Sequence, residues 1–337
     1  MENGLFFKNK TILITGGTGS WGNELTLFFL KKQSVKEIRI YSRDEYKQVK
    51  MKRKFQHNPK LKFIVGDVRN NKELTLSCMG VDFIFHLAAL KHVPVCEDNV
   101  WETISTNIIG TQNVIEASIA NRVSKVIYVS TDKAVEPYNL YGMTKACGEK
   151  LITSANKYYR SSTKFITIRS GNVLGTRGSV LPLFIEQITT DNKVTLTDEQ
   201  MTRYFINSKV AINLIIEATK LGVGGEIFVL KMPATDNLTL IKTIIKMFGN
   251  EKTKIIKVGP RPGEKRDEVL ISKHEVPYSR IINDKLFVIL DQRVNNKFIN
   301  KYYRLKRLKD PEYTSKNTFR LESRQIEKLL IEEGVKV

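Results

Sequence analysis

Short β-branched runs alternate with helix-length segments through the first half of this chain, and no other sequence feature limits its possible folds more. The strand-like runs read TILITG, EIRIYS, KFIVGD, DFIFHLAA, KVIYVST and FITIRSG. Between them lie segments of helical length at 21–32, 44–56 and 101–121. Strands that alternate with helices predict a parallel sheet covered by helices on both faces. We therefore expect an α/β fold built on a doubly wound parallel sheet.

A glycine-rich segment, TGGTGSWG, follows the first predicted strand and precedes a helix. Gly16, Gly19 and Gly22 allow a tight turn, close approach of the backbone to a pyrophosphate, and close packing of the helix on the strand. A glycine pattern alone is weak evidence, but its place in a βαβ alternation makes it specific. We predict a dinucleotide site in a Rossmann domain.

The end of the second predicted strand distinguishes NADP from NAD, because an acid there would bind the ribose 2′-hydroxyl of NAD. The sequence instead places Ser42 and Arg43 at this point, with Lys47 one turn further on. These groups suit a 2′-phosphate, so NADP is the predicted cofactor. NAD stays the alternative, since Asp44 would serve as the ribose acid if the strand ended later. Asp67, after the third strand, is predicted to meet the adenine ring or, alternatively, to cap a helix.

The composition is that of a soluble globular protein, with 41% hydrophobic and 27% charged residues among 337. No apolar run approaches the length that crosses a bilayer, and the N-terminal residues do not resemble a secretory signal. The three cysteines, Cys78, Cys96 and Cys147, lack metal-site spacing, which indicates reduced thiols and no metal. We expect a cytoplasmic protein that does not bind membranes.

A formal net charge of +20 raises nucleic acid as a partner. The lysines, however, are spread over the whole length, without a basic tail, zinc-finger spacing or repeat. We therefore expect no nucleic-acid binding. A basic surface also suits a doubly negative sugar nucleotide, although charge alone cannot choose between these partners.

Tyr141 and Lys145 have YxxxK spacing, which places both side chains on one face of a helix. A nearby ammonium would lower the pKa of the phenol, so that the tyrosinate can accept a proton from a substrate hydroxyl. This spacing is common by chance, but here it follows the fifth predicted strand, next to Ser130 and Thr131. We therefore predict a catalytic pair at the edge of the nucleotide-binding sheet.

The sequence pattern changes after about residue 175. The chain then contains loops with Gly and Pro, a predicted helix around 208–221 and one further strand candidate, EIFVLK. We predict three parts: an NADP-binding domain with the catalytic residues at 1–175, a substrate-binding region at 176–293 that returns at least one strand to the sheet, and a surface or subunit-contact segment at 294–337. A homo-oligomer, dimer or higher, is expected.

Several motifs, in order from residue 11 to about 268, carry a more specific resemblance. They include TGGTGSWG, YSRDEYKQ, GDVRN, HLAALKHVPVCE, TNIIGTQNV, STDKAVEPYNLYGMTK, RSGNVLGTRGSVLPLF, MTRYF and RPGEKRDE. The chain thereby resembles the extended short-chain dehydrogenase/reductase superfamily and, within it, the soluble UDP-N-acetylglucosamine 4,6-dehydratases of bacterial surface-sugar synthesis. The substrate that this resemblance implies is UDP-N-acetylglucosamine.

The resemblance implies an internal redox cycle without net oxidation. In such a cycle Tyr141 removes the proton of the C4 hydroxyl, hydride passes to NADP+, and Thr131 hydrogen-bonds that hydroxyl. The 4-ketone acidifies the C5 proton, which Lys133 takes if desolvation keeps it partly neutral. Asp132, if protonated, donates to the departing C6 hydroxyl, and hydride then returns to C6. The alternative reading of Asp132 and Lys133 is a turn with a surface ion pair.

The binding residues come mainly from the same resemblance. The predicted cofactor set is Gly16, Thr18, Gly19, Ser20, Trp21, Gly22, Ser42, Arg43, Lys47, Asp67, Val68, Ala88, Ala89, Lys91, Asn107, Tyr141 and Lys145. The predicted substrate set is Lys91, His92, Thr131, Asn172, Ser179, Val180, Arg203, Arg261 and Glu264. The physical case is best for Arg203 and Arg261, whose guanidinium groups can grip a diphosphate bidentately. His86, inside an apolar run, is interpreted as a core histidine.

Two departures from the family pattern leave the shape of the substrate pocket open: Glu136–Pro137 stands where Asn–Pro is more common, and DEQ precedes MTR. Tyr141 together with Lys133 resembles the branch that inverts C5, while a C5-retaining dehydratase is the alternative. A UDP-sugar 4-epimerase shares the fold and YxxxK but does not need an acid–base pair at 132–133. A catalytically idle NADP-binding sensor or scaffold would not need Thr131, Tyr141 and Lys145.

Overall fold

The computed structural model describes residues 6–32, 34–174, 180–260, 263–290 and 300–335. Two predicted substrate residues, Ser179 and Arg261, lie outside the described residues. No helix in the described ranges has the length and apolar character that a membrane span requires.

The strands and helices follow one another in the alternating order that the sequence indicates. The strands are β1 (Thr11–Thr15), β2 (Glu37–Ser42), β3 (Leu61–Val65), β4 (Phe83–His86), β5 (Lys125–Thr131), β6 (Lys164–Ser170), β7 (Asn172–Val173), β8 (Lys193–Leu196), β9 (Thr202–Ile206), β10 (Glu226–Leu230), β11 (Ala234–Asp236), β12 (Lys254–Lys257), β13 (Val269–Ile271), β14 (Ser279–Ile281), β15 (Leu286–Leu290) and β16 (Tyr313–Thr314). The α-helices are α1 (Ser20–Lys32), α2 (Glu45–Lys54), α3 (Asn71–Ser77), α4 (Val93–Asp98), α5 (Val100–Ile104), α6 (Gly110–Ala120), α7 (Leu140–Tyr158), α8 (Val180–Asp191), α9 (Ser208–Leu221), α10 (Asn237–Phe248), α11 (Asn300–Tyr303) and α12 (Ser323–Glu332).

The main sheet confirms the predicted α/β fold. Its strand order is β14-β15-β10-β6-β5-β4-β1-β2-β3, and the strands from β10 to β3 run parallel. The chain order reverses at β1, which lies between β2 and β4, and ligands bind at such a switch point outside the carboxyl ends of the strands. The two antiparallel strands at the other edge, β14 and β15, were not predicted.

The central strands β1, β4, β5 and β6 are largely buried, because most of their residues are apolar. In β1, Ile12 and Ile14 pack into the hydrophobic cluster on one face, while Leu13 packs into the cluster on the other. This alternation follows from the two-residue period of a strand. Helices cover both clusters, so the carboxyl ends of the strands form the exposed edge at which side chains can meet a ligand.

The predicted helix over 101–121 is interrupted. Between α5 and α6 the chain forms one π-helical turn, Ser105–Ile109. Within it the Asn107 side chain accepts from the Leu90 amide (2.8 Å) and donates to the Leu90 carbonyl (3.0 Å) and the Thr144 hydroxyl (3.0 Å). Such turns occur often at functional sites. Here the turn fixes the loop that follows β4 and ties it to α7.

The second half of the chain adds a third hydrophobic cluster, formed largely by α8, α10 and α12 beside the main sheet. Residues near the C-terminus take part in packing. The Tyr313 hydroxyl donates to the Met232 carbonyl (2.9 Å), and Leu321 and Leu330 are buried. Part of the segment for which we predicted a surface or subunit-contact role is therefore buried within the chain itself.

Candidate active site

The glycine-rich turn between β1 and α1 leaves no room for a side chain. Gly16 has φ of 64°, and a Cβ atom there would lie 2.8 Å from the backbone nitrogen of Ala88. Its own amide donates to the Tyr41 carbonyl (2.8 Å), which ties the turn to the end of β2. Helix α1 begins directly afterwards at Ser20. The backbone can therefore approach an anion at a helix N-terminus.

A large cavity of about 1580 Å³ runs along the carboxyl ends of the strands. Most of the predicted site residues line it together: Gly16, Thr18, Gly19, Ser20, Trp21, Gly22, Ser42, Arg43, Lys47, Asp67, Val68, Ala88, Ala89, Lys91, His92, Thr131, Lys133, Tyr141, Lys145, Asn172, Val180, Arg203 and Glu264. Two predicted residues, Asn107 and Asp132, are buried behind its wall. Asn107 would act on a ligand only through the loop that it holds.

At the end of β2 the polar groups already contact one another. The Thr18 hydroxyl donates to Ser42 Oγ (3.2 Å), and Arg43 lies 3.6 Å from Asp67 with half of its side chain exposed. Asp44 caps α2 by accepting from the Lys47 amide, and its carboxylate also pairs with Lys47 Nζ at 2.5 Å. The group considered as an alternative ribose acid is therefore engaged with the helix that follows.

Asp67 does not cap α3, because Asn70 does so. Its carboxylate instead accepts from the Arg69 amide (2.9 Å) and the Arg69 guanidinium (2.7 Å). Burial alone would raise the pKa of Asp67, but Arg69 and Arg43 outweigh it and hold the pKa below its usual value. Asp67 is thus ionised at the cavity wall, and the capping alternative is wrong.

His86 is a core histidine, as interpreted from the sequence. Its Nδ1 lies 2.7 Å from the Thr15 hydroxyl and its Nε2 lies 3.1 Å from the Thr111 hydroxyl. Burial, with a contribution from Lys145, lowers the pKa of His86 to about 3. The ring is neutral and cross-links β1, β4 and α6.

Tyr141 and Lys145 lie on the first turns of α7, which Asn139 caps by accepting from the Gly142 amide (2.9 Å). Burial lowers the pKa of Lys145 to about 7, and its Nζ donates to the Val129 carbonyl (2.8 Å). Burial raises the pKa of Tyr141 to about 12, although Lys133 and the Thr131 hydroxyl act in the opposite direction. The expectation that Lys145 lowers the pKa of this phenol is therefore wrong here: Lys133 is the cation that favours the tyrosinate, and burial outweighs it.

Asp132 and Lys133 form part of a buried ionic cluster. Lys133 Nζ donates to Asp132 Oδ1 (3.0 Å) and lies 3.3 Å from Glu268 Oε1, while Thr131 Oγ1 also donates to Asp132 Oδ1 (2.9 Å). Asp132 is fully buried, and Glu268 is 2% exposed. Arg203 Nε lies 3.7 Å from the same Glu268 oxygen. The alternative of a surface ion pair at 132–133 is therefore wrong.

The pKa directions within this cluster differ from group to group. Burial raises the pKa of Asp132, even though Lys133 opposes it. Burial would lower the pKa of Lys133, but the charges of Asp132 and Glu268 outweigh it, so Lys133 is held as an ammonium. Burial would raise the pKa of Glu268, but Lys133 and Arg203 lower it. The expectation that desolvation keeps Lys133 partly neutral is therefore corrected for this state of the protein.

The Arg203 guanidinium group forms hydrogen bonds with backbone carbonyl groups of this chain. Its terminal nitrogens donate to the carbonyls of Thr202 (2.8 Å), Arg266 (3.1 Å) and Lys265 (2.9 Å) and lie 3.2 Å from the Met201 sulfur. No parallel pair of donors is left for a diphosphate in this conformation, because the loop that leads to β13 wraps around the guanidinium. The expectation of a bidentate diphosphate grip by Arg203 is not met here.

Sequence reasoning missed Glu268, although it lies in the quoted RPGEKRDE motif. The available signal was its position directly before the apolar run VLI, since an acid that opens a buried strand needs a cationic partner. That partner, Lys133, lies far away in the sequence. Among the described residues, no group of three or more His, Cys, Asp or Glu side chains is arranged to hold a metal ion.

Known proteins resemble this chain over most of its length. A profile of the family described as "Polysaccharide biosynthesis protein" matches residues 12–289. A curated protein named UDP-glucose 4-epimerase from Rickettsia bellii is 44% identical over 332 residues, 96% of each chain. The solved structure of Pen from Bacillus thuringiensis has a TM-score of 0.89 and 38% identity, covering 97% of this chain and 99% of that chain. A dTDP-glucose 4,6-dehydratase from Streptomyces venezuelae, solved with NAD bound, shares the fold, with a TM-score of 0.70 and 22% identity over 76% of this chain and 86% of that chain.

Proposed function

This chain belongs to the family of polysaccharide biosynthesis proteins, and on that basis we propose that it is a sugar-nucleotide 4,6-dehydratase. The proposed reaction is the NADP-dependent removal of water from UDP-N-acetylglucosamine. It yields a UDP-2-acetamido-2,6-dideoxy-4-hexulose, with inversion at C5, for the synthesis of bacterial surface sugars. The enzyme class is then a lyase.

The observation that carries this proposal is the presence of two acid–base sets at one cavity. Thr131, Tyr141 and Lys145 form the set that oxidation of a hydroxyl requires. Asp132 and Lys133 form a second set, with Lys133 on the cavity wall and Asp132 directly behind it. Oxidation of a hydroxyl needs only the first set. Elimination of water needs a second acid and a second base, so the buried pair supports a dehydratase.

A bound nicotinamide dinucleotide would supply the hydride acceptor and donor. Tyr141 takes the proton of the C4 hydroxyl, which Thr131 orients. A positively charged oxidised cofactor would favour the tyrosinate form of Tyr141, because a positive charge near a phenol lowers its pKa. Lys133 first passes its ammonium proton to Asp132 and then takes the C5 proton, which the 4-ketone acidifies. Asp132 gives its proton to the C6 oxygen, water leaves, and Lys133 returns a proton to C5 when C6 is reduced.

The residues at the cavity fit a dinucleotide. The Gly16 turn admits close backbone approach at the start of α1, where Thr18 and Ser20 would bind the pyrophosphate. Arg43 at the end of β2 would bind a 2′-phosphate, which supports NADP. The Streptomyces dehydratase was solved with NAD, so NAD is the competing cofactor and a binding test is needed.

The substrate would lie over the second half of the cavity. Five residues of the cavity wall are proposed to contact it there: Lys91, His92, Asn172, Val180 and Glu264. Ser179 and Arg261 are proposed to complete this set from the sequence resemblance alone. The basic character of the chain suits the two negative charges of a UDP-sugar.

A UDP-sugar 4-epimerase is the second candidate, because the Rickettsia relatives carry that name. An epimerase would use Thr131, Tyr141 and Lys145 in the same way. It would give no chemical role to a buried Asp132–Lys133 pair. The pair therefore favours the dehydratase over the epimerase.

Incubation of the purified protein with UDP-N-acetylglucosamine and, separately, UDP-glucose tests this choice. We expect mass spectrometry to show a product that has lost one water from UDP-N-acetylglucosamine. Tyr141→Phe should abolish this product, whereas Lys133→Ala should slow its formation by about 10²- to 10⁴-fold and still allow reduction of the bound cofactor. An isomer of unchanged mass would instead support the epimerase. NMR of the product distinguishes inversion from retention at C5.

A further inference from the structure

The elimination set contains one cation between two carboxylates. Lys133 Nζ lies 3.0 Å from Asp132 Oδ1 and 3.3 Å from Glu268 Oε1. Both carboxylates are almost fully excluded from solvent. Among the described residues, Asp132 Oδ2 and Glu268 Oε2 have no hydrogen-bond partner. Two buried carboxylates share the Lys133 ammonium, and a low-dielectric site favours the uncharged form of the carboxylate that has fewer other cations near it.

The surroundings decide which of the two carboxylates keeps its charge. Arg203 and Lys265 act on Glu268 in addition to Lys133, whereas Lys133 is the main cation acting on Asp132. The other titratable groups that face the set come from α7, β9 and the loop before β13: Tyr141, Tyr204 and Lys265. With more cations near Glu268, the extra proton belongs on Asp132. That is the form in which Asp132 can act as an acid.

We propose that Glu268 is a positioning residue of the elimination step: it stays ionised as the counter-ion of Lys133, so that Asp132 is the carboxylate that takes up a proton from Lys133 and then acts as the acid. This inference rests on the proposed dehydratase function. Glu268 lies at the start of β13, whose preceding loop is fixed to the catalytic segment by hydrogen bonds from Asn139 to the Gly263 carbonyl (3.1 Å) and from Lys265 to the Val135 carbonyl.

The proton transfer balances within the cluster. An N–H bond of Lys133 breaks and an O–H bond forms on Asp132, along the hydrogen bond that already joins them (3.0 Å), which turns this ion pair into an amine and a carboxylic acid. The free amine then takes the C5 proton and becomes an ammonium again. Asp132 loses its new proton to the C6 oxygen, which leaves as water. No external acid, base or oxidant is needed for these proton steps.

The test compares Glu268→Gln with the wild-type protein. The amide keeps the size of the side chain but carries no charge to balance Lys133. We expect reduction of bound cofactor by substrate to continue within about threefold of the wild-type rate, while loss of water slows by about 10²-fold or more. Lys133 would then pair with Asp132 alone, so the pKa of Asp132 should fall. Elimination requires protonated Asp132, so its decline with rising pH should begin about one pH unit lower or more.

Asp267→Asn is the matched control, because it removes a neighbouring carboxylate that bonds only to the Thr202 hydroxyl among the described contacts. It should change neither the ratio of the rate of cofactor reduction to the rate of water loss nor the pH dependence of water loss. Glu268→Asp keeps the charge and should recover much of the elimination rate, and it replaces Glu268→Gln if that variant does not fold. The proposal would be overturned if Glu268→Gln left the ratio of these two rates and the pH dependence of water loss unchanged. It would also be overturned if Asp267→Asn had equal effects. If the wild-type protein releases no water from the substrate, the proposed function itself fails.

Discussion

At the scale of single residues, the candidate active site combines side chains that are close together in the sequence with a carboxylate from a distant part of the chain. Thr131, Asp132, Lys133, Tyr141 and Lys145 could be selected from the sequence because they lie within one short stretch of recognisable spacing. Their charge states could not be predicted from it. Burial and a carboxylate from another part of the chain decide them, and neither is visible in local sequence. The residue types were therefore predictable, whereas the protonation of Lys133 was not.

One backbone conformation near this segment is strained. Glu136 has φ of 46° and is followed by Pro137, which restricts the residue before it to extended conformations. Asn tolerates positive φ better than other non-glycine residues, and Glu136 is exposed, so its replacement disturbs no packing. We expect Glu136→Asn to raise the free energy of unfolding by about 1 kcal/mol.

Thermal and chemical denaturation measure this effect, with Glu136→Gln as the control. Glu136→Gln removes the same charge but does not relieve the backbone, so its stability should match the wild-type value. Equal stability of the Asn and Gln variants would mean that the positive φ costs nothing in this loop.

At the scale of elements, the ends of strands and helices place the charged groups of the candidate cofactor site. Strand β2 ends at Ser42, and α2 begins at Glu45 with Asp44 as its cap. The Asp44 carboxylate also forms an ion pair with Lys47. Arg43 and Lys47 are similarly exposed, but Lys47 pairs with Asp44 at 2.5 Å whereas Arg43 lies 3.6 Å from Asp67, so Arg43 is the less tightly paired cation and is proposed to discriminate between the two cofactors.

Arg43→Ala should weaken the binding of NADP by at least about tenfold and change NAD binding much less, because only NADP presents a 2′-phosphate to the guanidinium. Asp44→Asn is the complementary variant. Asn still caps α2 but no longer neutralises Lys47, so NADP should bind more tightly. Titration of each variant with both cofactors measures the ratio. Equal losses for NADP and NAD in Arg43→Ala would show that the ribose phosphate is bound elsewhere.

Some structural elements could not be predicted from the sequence, and the causes are physical. The π-helical turn in 101–121 depends on Asn107 bonds to a distant loop, and helical periodicity does not reveal it. Strands β14 and β15 pair in antiparallel order at the sheet edge beyond β10, and they lack the intervening helix that marks a βαβ unit. The parallel part of the sheet was predictable because helix-length segments separate its strands in the sequence.

At the scale of the whole molecule, the site lies where the main sheet, α7 and the loop before β13 meet. The sequence predicted the doubly wound sheet, and most of the predicted site residues line the cavity. It did not predict that the C-terminal part packs back onto the second half of the chain through Tyr313 and α12, because this packing joins parts that are far apart in sequence. The three-part division and the homo-oligomer stay predictions.

The central claim is that hydride removed from C4 returns to C6 of the same sugar while water leaves. UDP-N-acetylglucosamine that carries deuterium at C4 tests it directly when the product is read by NMR and mass spectrometry. A 4,6-dehydratase should give a product that has lost one water and carries the deuterium on its C6 methyl group. An epimerase would return the deuterium to C4 of an intact sugar. Deuterium that remains at C4, with no loss of water, would contradict the account.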